Sequence, residues 1–165
     1  MKTELHRKQF SATGFRFAIV VSRWNDDLTS KLADGALEAL KGAGAATDSI
    51  TIYRVPGAFE LPLVCLKAAQ SGDFDAIIAL GVVIRGETPH FDYVAGQAAA
   101  GILKASLNTG IPVLFGVITA DTVEQAISRS GEKADNKGYE SALSAVEMVN
   151  LVDEIDRSKE QGKRD

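Results

Sequence analysis

The chain has 165 residues, long enough for one domain with a sizeable core. Apolar residues make up 45% and charged residues 24%, an ordinary globular balance. The formal net charge of −4 excludes a global basic field of the kind that attracts nucleic acid, so local groups must hold any anionic ligand.

Residues 1–13 are polar and without period, and read as an arm. "FRFAIVVS" follows as a buried strand. In "RWNDDLTSKLADGALEALKGAG", Leu28, Leu32, Ala36, Leu40 and Ala43 recur at helical spacing. Asp26 or Asp27 suits the free N–H groups of the first turn, and Gly42 and Gly44 supply a stop. "SITIYRV" is a second strand, broken at Pro56-Gly57. "AFELPLVCLKAAQSG" is a second helix, with Pro62 tolerated only near its start.

"FDAIIALGVVI" is a third strand, too continuously apolar for a half-exposed sheet. "FDYVAGQAAAGILKASLNTG" is a third helix whose Gly96, Ala98, Ala99, Ala100 and Gly101 let another backbone come close. "IPVLFGVIT" is a fourth strand, "ADTVEQAISRSG" a short helix and "YESALSAVEMVNLVDEI" the last helix. The charged end "DRSKEQGKRD" reads as a solvated tail. Strands alternating with helices imply an α/β fold: a three-layer αβα sandwich around a four-stranded parallel sheet. The expected division is an arm at 1–13, one domain at 14–155 and a tail at 156–165.

In such a sheet, ligands bind outside the carboxyl ends of the strands. Three segments there carry more than a connector needs. Trp24, the sole tryptophan, either stacks on a flat heterocycle or packs locally. In "VPGAFE", Glu60 either favours the positive end of the helix or accepts hydrogen bonds from a ligand. In "RGETPH", Gly86 permits unusual backbone angles, and the N–H groups of Glu87 and Thr88 can cradle an oxyanion. His90 would stand beside that anion as a proton carrier; the alternative is a plain helix start. His6, the other histidine, lies in the arm.

Phosphate-loop, dinucleotide, zinc and nucleophile-elbow patterns are missing from the chain. The lone Cys65 sits in an apolar run, forms no internal disulfide and reads as a core residue. What is left is metal-free acid–base chemistry on a small, planar, anionic substrate.

Together, "RWNDDLTSKL", "VPGAFELPL", "LGVVIRGETPHFDYV", "PVLFGVIT" and "AISRSGEKADNKGYESALSAVEM" resemble the 6,7-dimethyl-8-ribityllumazine synthase family, from about Phe15 to about Leu151. The resemblance implies a flavodoxin-like fold and a cofactor-free transferase of riboflavin biosynthesis. Such an enzyme condenses 5-amino-6-(D-ribitylamino)uracil with 3,4-dihydroxy-2-butanone 4-phosphate, with loss of phosphate and water.

It implies roles by position. Trp24, where many members carry Phe, matches the aromatic stacked on the pyrimidine. Ala58, Phe59 and Glu60 match the segment that holds the ribityl chain and ring edge. Val82, Val83 and Ile84 match the strand end against the pyrimidine. Glu87 and Thr88 match the phosphate turn, Arg129 the phosphate-gripping arginine and His90 the general acid–base. Phe115 matches an aromatic from the neighbouring subunit, and Lys137 a lysine near the site.

Two positions depart from the family pattern. Val82 stands where threonine is common, and Glu87 puts a carboxylate beside a phosphate site, so its backbone N–H is the expected donor.

The resemblance further implies a homopentamer with active sites at subunit interfaces, and in some members a 60-subunit icosahedral shell. The arm would add a strand to a neighbour's sheet. Neither a nucleic acid nor a membrane partner is expected. The opening residues lack the apolar core of a signal peptide, and no run approaches bilayer length, so a cytoplasmic location is expected. Two rivals are a riboflavin synthase of the archaeal type, which needs no phosphate grip, and a non-catalytic flavin carrier or shell protein, which needs no His90.

Overall fold

β1 (Phe17–Ser22) and β3 (Ala76–Ile84) lie side by side at the centre of a four-stranded sheet. β2 (Ile50–Val55) flanks β1 and β4 (Val113–Ala120) flanks β3, in the order β2-β1-β3-β4, and every pair is parallel. This computed structural model describes residues 10–161. Its helices are α1 (Asp26–Gly42), α2 (Leu61–Gln70), α3 (His90–Thr109), α4 (Val123–Ser128) and α5 (Lys137–Gln161).

The central strands are buried on both faces, as their unbroken apolar runs require. Phe17, Ile19 and Val21 of β1 join Leu32, Ala36 and Leu40 of α1 and Ala142, Ala145 and Val146 of α5 in one core. Ala18 and Val20 face the other way, against Leu61 and Cys65 of α2 and Ala98 and Ile102 of α3. The result is the expected three-layer sandwich. β2 is an edge and, unlike β1 and β3, leaves Ile52, Tyr53 and Arg54 exposed.

The ends of α1 follow different rules. Its stop is as expected: Gly44 takes the left-handed conformation (φ 99°), while the Ala45 N–H reaches Leu40 O at 2.9 Å and the Gly44 N–H reaches Lys41 O at 3.0 Å. Its start is not. The residue preceding the helix is Asn25, and no side chain caps the first turn, so neither Asp26 nor Asp27 acts as the cap. Both aspartates instead lie in the first turn, where the helix dipole favours them.

The small residues of α3 divide between two uses. At Gly101 a Cβ would lie 2.7 Å from the Pro62 ring, so this glycine lets α2 close onto α3 within the chain. Gly96 and Ala100 stay exposed.

α5 runs on to Gln161, through residues expected to form a tail. Ion pairs at helical spacing accompany the extension: Arg157 to Asp153 at 2.8 Å and Lys159 to Asp156 at 3.1 Å. Residues 162–165 lie outside the described residues. At the other end, residues 10–13 lie on the domain itself. The Ala12 N–H bonds Ala43 O at 2.9 Å, and Asn150 Nδ2 donates to Ser11 O at 2.9 Å. The intersubunit strand was expected of the arm at 1–13, of which residues 10–13 pack on their own domain and residues 1–9 lie outside the described residues. Among the described residues, no helix is long and apolar enough to cross a membrane.

α5 crosses α1 so closely that a Cβ on Gly138 would run into the Leu32 carbonyl. Backbone cannot rotate away, so Gly138→Ala is expected to cost about 3 kcal/mol or to leave the chain insoluble. Gly42→Ala, whose Cβ would meet nothing within 4 Å, is expected to be neutral or to gain up to about 1 kcal/mol. Thermal unfolding followed by circular dichroism compares the two; equal melting temperatures would reject the close crossing.

Candidate active site

The site grows from a mismatch in strand length. β1 pairs with β3 only as far as Val21 opposite Leu80, whereas β3 continues beside β4 to Ile84. Odd-numbered residues of β3 turn their N–H groups toward β4, as Ile77 does to Pro112 O and Arg85 to Ala120 O. The backbone of Val82 and Ile84 therefore faces the side where β1 has ended, and only a loop or a ligand can reach it.

The loop after β1 supplies one partner. The Arg23 N–H bonds Val55 O at 2.8 Å and the Trp24 N–H bonds Pro56 O at 3.1 Å, which lays the loop along the exit of β2. Asn25 then adopts the left-handed conformation (φ 62°), and its Nδ2 donates to Val82 O at 3.0 Å. Asparagine tolerates this backbone better than most residues. The turn leaves Trp24 75% exposed, the behaviour of a wall and not of a core residue.

After β2, one Glu60 carboxylate oxygen accepts the Gly57 N–H at 2.9 Å and folds the Ala58–Glu60 turn ahead of α2. Its other oxygen stays available. After β3, residues 86–89 form an exposed turn and His90 is the first residue of α3. Gly86 does not use the conformational freedom expected of it. Its backbone is not left-handed, and a Cβ there would meet nothing within 4 Å. The left-handed position at this site is Asn25.

These segments enclose a cleft of about 630 Å³. Trp24, Ala58, Phe59, Glu60, Val82, Val83, Ile84, Thr88 and His90 all line it. Asn25, Phe91, Tyr93 and Val94 line it too and escaped the sequence reading. Tyr93 and Val94 stand three and four residues beyond His90, on the same helix face, and that spacing was the available signal. The cleft is thus an aromatic slot with one imidazole and one carboxylate at its rim. Its shape and chemistry suit a flat heterocycle carrying a polar chain.

Glu87, Phe115, Arg129 and Lys137 do not line this cleft. Phe115 is on the edge strand β4 and is 38% exposed. Arg129 and Lys137 meet at the α4–α5 junction, where Glu140 accepts from Arg129 Nη2 at 3.1 Å and from Lys137 Nζ at 2.8 Å. Lys137 first, and Arg129 after it, hold the Glu140 carboxyl below its usual range, so at neutral pH it is ionised between the two cations. Both cations thus share one carboxylate.

Asn136 builds the junction and was also missed. It is buried, its Nδ2 donates to Lys31 O and Gly131 O at 2.9 Å each, and its Oδ1 accepts the Tyr139 N–H at 3.0 Å. Burial pushes the Cys65 thiol up to about 12, in keeping with its reading as an inert core residue. Among the described residues, no three His, Cys, Asp or Glu side chains gather as a metal-binding group.

Comparison with known proteins gives the family. A family model described as 6,7-dimethyl-8-ribityllumazine synthase matches residues 14–153. A protein of that name from Chlorobium luteolum is 57% identical over 141 residues, covering 86% of this chain and 91% of the relative. One from Desulfatibacillum aliphaticivorans is 56% identical over 145 residues, covering 88% and 94%. One from Syntrophus aciditrophicus is 57% identical over 144 residues, covering 87% and 94%.

Asn25 joins the two central strands, and its removal should register in stability. Asn25→Ala loses the bond to Val82 O and forces alanine into a left-handed backbone, for an expected loss of about 2 kcal/mol. Asn25→Gly should recover the backbone share alone. Denaturant unfolding measures both, and an alanine variant as stable as the parent would refute the role.

Proposed function

The chain belongs to the 6,7-dimethyl-8-ribityllumazine synthase family, and from that membership we propose how its residues divide the chemistry. It is an enzyme of the transferase class acting in riboflavin biosynthesis. Its reaction joins 5-amino-6-(D-ribitylamino)uracil to 3,4-dihydroxy-2-butanone 4-phosphate. The amine and the ketone form an imine, phosphate leaves, the ring closes and water is lost.

The observation that carries the assignment of parts is the shared cleft. Trp24, the 58–60 turn, the 82–84 strand end, Thr88 and His90 come from four chain segments and line one slot. Trp24 stacks on the pyrimidine, and the strand end at Val82, Val83 and Ile84 lies against its edge. Here the valine at position 82 costs one hydroxyl contact and leaves the main-chain contacts of this strand end in place. Ala58, Phe59 and the free oxygen of Glu60 hold the ribityl chain.

The exposed turn at Glu87 and Thr88 offers N–H groups to the phosphate, with the Glu87 carboxylate turned away. His90 takes the proton from the carbon next to the imine as the phosphate departs, and returns protons as the ring closes. Much of the remaining acceleration comes from holding two reactive molecules together.

Phe115, Arg129 and Lys137 lie off the chain's own cleft, which supports placing them on the wall that a neighbouring subunit supplies. A ring of subunits, a pentamer in this reading, then completes each slot with an aromatic and a cationic edge. Arg129 grips the phosphate in competition with Glu140. The same pentamers can serve as the faces of a 60-subunit shell. A cytoplasmic location suits the single reduced thiol. Relatives at 56–57% identity carry the synthase name, which favours this reading over a riboflavin synthase or a flavin carrier.

The two substrates mixed with the purified protein should yield lumazine fluorescence and free phosphate. A rate no higher than the spontaneous one would sink the assignment. His90→Ala should lower kcat by about 10²-fold or less, the low end for a general acid–base, while ligand binding survives. Arg129→Ala should chiefly raise KM for the butanone phosphate. An unchanged KM counts against the grip, and a monomer in sedimentation would remove the shared wall.

A further inference from the structure

Arg85 is the last polar residue before the 86–89 turn and does not line the cleft. Its contacts nevertheless converge on the residues that follow His90. Nη1 donates to both Asp92 oxygens, at 3.1 and 3.3 Å, and Nε donates to Asp121 Oδ1 at 2.8 Å. The guanidinium lies over the Phe91 ring, 4.1 Å from its centroid. The Arg85 N–H bonds Ala120 O at 2.9 Å.

One planar group therefore ties three segments together: the end of β3, the residue after β4, and the first turn of α3. An isolated exposed ion pair contributes little. A guanidinium that reaches both oxygens of one carboxylate through Nη1, bonds a second carboxylate through Nε and stacks on a ring is a different case, because each contact holds the plane for the others.

The consequence is positional. Only Gly86, Glu87, Thr88 and Pro89 separate Arg85 from His90, and the guanidinium grips Phe91 and Asp92 just beyond it. The turn is thus closed at both ends by a single side chain. His90 has no side-chain hydrogen bond among those described, so the backbone of its helix start sets where the imidazole stands. We propose that Arg85 is a positioning residue that locks the first turn of α3, and so presents His90 to the cleft from behind. This rests on the reading of His90 as the proton carrier.

The test compares Arg85→Lys, Asp92→Asn and His90→Ala in the assembled protein, with Arg16→Lys as a control ion pair far along the chain. Lysine keeps the charge of Arg85 but loses the fork and the flat stacking surface. Asp92→Asn weakens only the helix side of the clamp. The measurements are kcat, the affinity for the ribitylaminouracil from Trp24 fluorescence, and the melting temperature.

The expected result is a kcat lowered by up to about 10²-fold in Arg85→Lys, the scale of a misplacement by about 1 Å. Asp92→Asn should show a smaller fall, and the uracil affinity of both should match the parent. Arg16→Lys should keep the parental kcat. If His90→Ala is slow while Arg85→Lys and Asp92→Asn turn over like the parent, the positioning role is overturned and the His90 reading stands. If kcat falls only in step with uracil affinity and melting temperature, Arg85 is a stability residue and the inference fails. If His90→Ala keeps the parental kcat, the reading of His90 fails first and this one with it.

Discussion

The functional end of this protein depends on where β1 stops. The chain leaves β1 toward β2 on one side, then returns to place β3 on the other. The loops from two neighbouring parallel strands therefore diverge, and a crevice opens between their carboxyl ends. β3 outlasts β1, so part of its backbone is left without a strand partner in that crevice. Buried backbone must be satisfied. Asn25 satisfies one carbonyl, and the remainder forms a ready edge for a heterocycle with donors and acceptors of its own. Each later feature of the site is arranged around that edge.

Charge is kept apart from the slot. The cleft is walled by Trp24, Phe59, Phe91 and Tyr93, with His90 and Glu60 at the rim. The cations sit elsewhere, each held by carboxylates: Arg129 and Lys137 by Glu140, and Arg85 by Asp92 and Asp121. In a net-acidic chain an anion is held by local groups and not by the overall field. The carboxylate pairing also restrains these long side chains.

Much of the fold could be read from local rules. The apolar runs of β1 and β3 announced strands covered on both faces, and Gly44 marked the end of α1 through a backbone angle that favours glycine. The cleft was legible in outline, because its residues cluster in segments that a parallel sheet must bring to one end. The departures have separate causes. Asp26 and Asp27 suited the cap by type no better than Asn25, and Asn25 holds the position with its side chain turned to Val82, 57 residues away. Gly86 looked like the flexible point of its turn and was not. The end of α5 lacked apolar residues, yet good helix formers with ion pairs along the helix carried it onward.

By itself, the sequence determined the elements, their parallel arrangement and the family, because periodicity and short motifs depend on neighbours along the chain. It also determined which residue types were available for chemistry: one tryptophan, one histidine outside the arm and one cysteine. The tertiary structure alone decided which of them share a cleft, that Arg129 and Lys137 stand apart from it, that Asn136 pins their junction to α1, and that Arg85 grips the turn from behind. Those outcomes follow from contacts between residues far apart in the chain, whose geometry is set by strand length and helix crossing and leaves no periodic trace.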